Sequence, residues 1–184
     1  MSNAAFTSAM MYPVRTQGDR LVLAGLRSWI AGLHFEDAGC WEAGWSVLSN
    51  EIEPAHARNV FSGLERLAFA IRNAGMTGQV TWPIACRLAN RLETLTLAAI
   101  GLTQRGFRNQ ALAVMMELEP SMEQNMDEIA DAMVTLSLAL DEAGLGISCN
   151  LEPLLAADEA GQGGSSRLDG LHTILGAALR RGMN

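Results

Sequence analysis

The sequence predicts an all-α protein: one domain, a helical bundle of six to eight helices arranged mostly as antiparallel hairpins. Three observations carry this expectation. Apolar residues recur with a helical period between glycines placed where helices end. No stretch of four or more residues alternates in the manner of a strand, apart from "GQVTW" around Val80. And 184 residues at 49% hydrophobic content suffice for one sizeable core.

The elements follow from their punctuation. "FEDAG", "IRNAG", "TQRG" and "LDEAG" end at Gly39, Gly75, Gly106 and Gly144, and each reads as a glycine taking the left-handed conformation just past a helix. These stops predict helices over about 19–38, 40–50, 54–74, 82–105, 107–118, 121–143, 151–160 and 167–181. The third opens at Pro54, whose missing N–H and fixed φ suit a first helical position. In the sixth, Met126, Ile129, Met133, Leu136 and Leu140 share one face while Glu123, Asp127, Glu128 and Asp131 share the other. "GQGGSS", residues 161–166, reads as a flexible Gly/Ser linker. The expected organisation is therefore a flexible N-terminal segment (1–18), a bundle domain (19–160), the linker (161–166) and a C-terminal docking helix (167–184). The spacing of the glycine stops resembles a helical repeat, but no residue set recurs with it, and stacked hairpins give the same punctuation.

Charge is unevenly placed. All 13 basic residues are arginine, and the net charge is −7. Residues 1–116 carry a slight positive excess, whereas residues 117–169 hold 12 acids and a single arginine. A net-acidic chain without a basic run argues against nucleic-acid binding, which needs clustered cations against phosphates. The acidic third suits a solvated face or an arginine-rich protein partner. The longest apolar run, "TLTLAAIGLTQ" at 94–104, is shorter than the ~20 residues of a membrane span, so no membrane association is expected. Cys40, Cys86 and Cys149 are widely separated and odd in number, which fits a reducing cytoplasm better than a disulfide framework.

Several residue sets bear on function. Glu53-x-x-His56 has the spacing used in di-iron bundles, yet Pro54 makes Glu53 a flanking cap and places His56 in the first turn. The nearest second half-site, Asp169-x-x-His172, points Asp169 away from its apolar stripe. The pair is read as a helix start, and no metal or other cofactor is assigned. Trp41 and Trp45, one turn apart and near Trp29, suit a core with an alternative role as ligand wall or interface anchor. The methionines Met115, Met116, Met122, Met126 and Met133, gathered in one third of the chain, suit core filling or an adaptable groove. Arg87 and Arg91, with Arg105 and Arg108 beyond, are placed to hold an anion or to pair with the acidic helix, notably Asp127 and Asp131.

Asp127-Glu128-x-x-Asp131, followed by an apolar helix ending in "AGLGI", resembles the second acidic motif of the all-α nucleotide pyrophosphohydrolases over about 25 residues. The resemblance implies Mg²⁺ held against a nucleoside triphosphate, with Glu128 and Asp131 as ligands and Glu93 contributed by the upstream helix. Where the family has its next carboxylate this chain has Thr96, so the resemblance implies a degenerate relative.

With three histidines, none in a nucleophile motif, and no Gly-rich phosphate loop, no catalytic residue is assigned. The expected function is a non-enzymatic helical interaction or regulatory protein that self-associates as a homodimer. The pyrophosphohydrolase relative and a bundle binding a small hydrophobic ligand are the alternatives.

Overall fold

The computed structural model describes residues 12–75, 83–116 and 125–148, and within them lie six helices: α1 (Gln17–Phe35), α2 (Ala38–Glu51), α3 (Pro54–Asn73), α4 (Arg91–Gln104), α5 (Arg108–Met116) and α6 (Met126–Glu142). A two-residue antiparallel ladder pairs β1 (Tyr12–Pro13) with β2 (Leu88–Ala89). The chain is an all-α bundle. The expected helices at 151–160 and 167–181, the linker and the C-terminal docking helix lie outside the described residues.

α1 is the central element. Every residue from Leu21 to Trp29 is buried, so this helix has no solvent face over more than two turns. Its start is fixed by a capping box: the Asp19 amide donates to Thr16 Oγ1 (3.0 Å) and the Thr16 amide donates to Asp19 Oδ2 (3.1 Å). The other Asp19 oxygen accepts from the Ser148 amide (2.8 Å), tying this end to the segment after α6.

Close approach to α1 is possible because small residues face its neighbours. A Cβ on Gly25 would collide with Leu64 of α3, and one on Gly32 would collide with the Trp41 indole of α2. α2 folds back antiparallel on α1, whereas α3 runs in the same direction as α1. α6 lies antiparallel on α3, with Asn73 hydrogen-bonded to Glu128 (3.2 Å) at one end and Asn59 to Glu142 (3.5 Å) at the other. Here too the fit is tight: a Cβ on Gly63 would lie 3.0 Å from Leu136 Cα. α4 is buried continuously from Glu93 to Leu102 and packs on α5 and α6.

Two expectations are corrected. The helix predicted from residue 82 begins at Arg91, because Asn90 and Glu93 form a capping box that stops it: the Glu93 amide donates to Asn90 Oδ1 (2.9 Å) and the Asn90 amide to Glu93 Oε2 (3.0 Å). Residues 83–90 form an irregular strap instead. Gly75, Gly106 and Gly144 do take positive φ, but Gly39 does not; the left-handed residue there is Glu36 (φ 54°). α1 ends three residues earlier than predicted, and Asp37 caps α2 by accepting the Gly39 amide (2.9 Å). Of the N-terminal segment expected over 1–18, residues 1–11 lie outside the described residues, Tyr12–Pro13 form β1 and Gln17 opens α1.

Candidate functional site

The most elaborate polar arrangement among the described residues lies inside the bundle. Arg27 of α1 is 1% exposed and Glu93 of α4 is 4% exposed. They meet in a two-pronged ion pair, Nε to Oε1 and one terminal nitrogen to Oε2, both at 2.7 Å. The remaining guanidinium donors go to backbone carbonyls of the strap: Cys86 (2.7 Å), Leu88 (2.7 Å) and Pro83 (3.2 Å). All five donors of the guanidinium are used. Glu93 Oε2 also accepts the Asn90 amide, so one buried pair fixes the start of α4, the strap and the centre of α1 together. This constellation was missed in the sequence, although a lone arginine inside "LVLAGLRSWIAGL" signals a buried charge that must be partnered.

The geometry commits Glu93 to Arg27 rather than to an open metal position. Thr96, one turn on, is buried with its hydroxyl unpartnered beside a void of about 10 Å³ that Arg27 and Glu93 also line. Glu128 and Asp131 lie instead on the outer face of α6, and Asp131 pairs with Arg108 of α5 at 3.2 Å. Among the described residues no three His, Cys, Asp or Glu side chains are grouped to hold a metal ion. Glu53 and His56 stand at the start of α3, as the position of Pro54 predicts, with 3.6 Å between Oε2 and Nε2.

Trp41 and Trp45 join an aromatic wall on the α1–α2–α3 side. Trp41 packs on Trp29 (centroids 5.2 Å apart), Trp29 on Phe61 (5.0 Å) and Phe69 (6.4 Å), and Trp45 meets Phe61 edge-on (5.8 Å). The Nε1 atoms of Trp29 and Trp41 are buried without an acceptor among the described residues. Met115 and Met133 are fully buried, Met126 is half-buried and Met116 is 43% exposed, so core filling describes only part of the set; Met122 lies outside the described residues.

Of the arginines expected to meet the acidic helix, only Arg108 pairs with one of its carboxylates among the described residues. Arg105 bonds the carbonyls of Gly101 (3.0 Å) and Ile147 (3.5 Å). Arg87 and Arg91 are exposed beside the strap, and Asp127 is exposed at the first turn of α6.

Two surface features remain. Between α3 and α6 runs an open groove of about 410 Å³ bounded by Glu65, Arg66, Phe69, Glu128, Asp131 and Ala132. Phe69, 38% exposed, sits among Arg58, Arg66 and Arg72, all within about 60° of it on the helical wheel. None of these three arginines forms an ion pair among the described residues. The solvent side of α6 carries Asp127, Glu128, Asp131 and Glu142 around Leu138, which is 60% exposed. On the other flank of α3, Ile30, Leu33, His34 and Glu36 of the α1 end face Ala68, Ile71 and Arg72 across a cleft of about 270 Å³. No helix among the described residues is long and apolar enough to cross a membrane. No protein-family model, curated protein or solved structure matches the chain.

Proposed function

We propose that this chain is a non-enzymatic interaction protein of the cytoplasm that self-associates as a two-fold dimer through its α3–α6 face. The observation carrying this reading is the pairing of an arginine-rich helix and an acid-rich helix, antiparallel and adjacent, around the exposed Phe69 and Leu138. A two-fold axis parallel to the seam between the helices lays α3 of one copy over α6 of the other without changing axial level. Arg66 then faces Glu128 and Asp131 of the partner copy, and the acidic side meets arginines in return. One surface is complementary to itself, as a closed two-fold dimer requires.

Burial of the remaining surface of Phe69 supplies part of the driving force. With about 200 Å² for a phenylalanine and 38% exposed, covering it is worth about 2 kcal/mol per copy at ~25 cal/mol per Å². The rim charges act mainly on orientation and salt dependence, since exposed pairs contribute roughly 0–1 kcal/mol each. Sedimentation velocity across concentration and ionic strength tests the reading. A monomer–dimer equilibrium at tens of micromolar that weakens between low and high salt is expected. A chain that stays monomeric at the highest concentration rules the dimer out.

A further inference from the structure

The cleft between the C-terminal ends of α1 and α3 has the chemistry of a small-molecule site; it shares Arg72 with the arginine-rich face of α3 but does not rest on the dimer reading. Its floor is apolar, built from Ile30, Leu33, Ala68 and Ile71, and its rim carries Glu36, His34 and Arg72. The volume, about 270 Å³, lies just below the range of drug-sized pockets, which limits the occupant to a small metabolite.

Glu36 and Arg72 line this one cleft with opposite charges, yet they are not close enough to form an ion pair. A ligand bearing both charges can bridge the gap. The polarity of the helices adds to this: α1 and α3 both end at the cleft, and their carbonyl ends favour a cation such as an ammonium group on the Glu36 side. Arg72 offers the planar donor fork that suits a carboxylate.

The backbone gives an independent reason to look at Glu36. It is the only described non-glycine residue with positive φ (54°, ψ 37°), at a helix end where glycine is the ordinary residue. Keeping a side chain at a position that penalises one is explained when the side chain has a task, and here its residue lines the cleft.

We infer that the α1–α3 cleft binds an apolar α-amino acid, with its ammonium at Glu36, its carboxylate at Arg72 and its side chain on Ile30, Leu33, Ala68 and Ile71. The experiment is isothermal titration calorimetry on the full chain with L-leucine and L-phenylalanine, beside isoamylamine and 4-methylpentanoate, which each keep one charge of leucine. Saturable binding of at least one amino acid at about 1 mM or tighter is expected, with the two single-charge analogues at least about tenfold weaker. Glu36→Gln and Arg72→Gln, both surface changes whose folding is checked by thermal melt, should each lower the affinity by about tenfold or more. No saturable binding of either amino acid, equal binding of the amine or acid alone, or affinity unchanged in both variants overturns the inference.

Discussion

Replacing Arg27 with methionine keeps a long side chain in the core while deleting every donor of the guanidinium. In the native chain that group neutralises Glu93 and binds three carbonyls of the strap. The variant leaves a carboxylate that is 4% exposed without its counter-ion, and removing one member of a buried pair costs on the order of 3–5 kcal/mol. The strap carbonyls can recover part of their hydrogen bonding from water, because Pro83, Arg87 and Leu88 reach the surface. For a domain of this size each kcal/mol moves Tm by roughly 2–4 °C, so a fall of about 6–20 °C is expected. Urea titrations of Arg27→Met, Glu93→Leu and the double variant complete the test. The double variant has no orphaned charge and should lose less than the sum of the two single losses, a coupling of at least about 1 kcal/mol. Limited proteolysis should locate new cleavage in residues 83–90. A single variant within 1 kcal/mol of the native chain, or strictly additive losses, would refute the idea that this pair joins α1, α4 and the strap.

Three further outcomes are expected. Gly63→Ala should destabilise by roughly 1–3 kcal/mol despite alanine's better helix propensity, because the new Cβ meets the backbone of Leu136 at 3.0 Å; a neutral or raised Tm would show that α3 and α6 separate freely. Glu36→Gly should raise stability by about 0.5–1 kcal/mol by relieving the left-handed residue at the end of α1, while abolishing amino-acid binding in the cleft; a lower Tm counts against the strain argument. Arg20 donates to Glu51 at 2.9 Å and, through that bond and its charge, holds the Glu51 carboxyl below its ordinary value of 4.5. A lowered folded value means the contribution is complete above the ordinary value and is lost as pH falls through the lower one. The stability difference between native chain and Glu51→Gln should therefore shrink in acid titrations below about pH 4.5, and a difference that grows there would reverse the sign of the argument.

Much of the bundle was legible in local pattern. Three of four glycine stops sit at positive φ, Pro54 opens α3, and the two faces of α6 separate as its periodicity requires, with Ile129, Met133, Leu136 and Leu140 buried. Gly39 misled because a glycine two residues inside a new helix looks the same in sequence as one just past an old helix. The start of α4 was misplaced because "CRLANRLETL" continues an apolar period through the Asn90 and Glu93 cap. Glu93 read as a metal-ligand candidate because its partner lies 66 positions away, a distance that local spacing does not encode. The α3–α6 groove and the α1–α3 cleft are likewise products of tertiary packing. The sequence showed their charges as a split along the chain, and only the antiparallel lie of two helices turns that split into a surface.

The most direct test of the self-association reading is a charge exchange across the proposed interface, read by sedimentation velocity at one concentration near the native midpoint. Arg66→Glu and Glu128→Arg each place like charges opposite one another and should weaken dimerisation, whereas the double variant restores opposite charges in the two-fold pairing and should recover the dimer. Thermal melts establish that all three variants are folded. Weakened single variants with recovery in the double variant are the predicted result. Single variants that dimerise like the native chain, or a double variant no better than either, would contradict the α3–α6 interface.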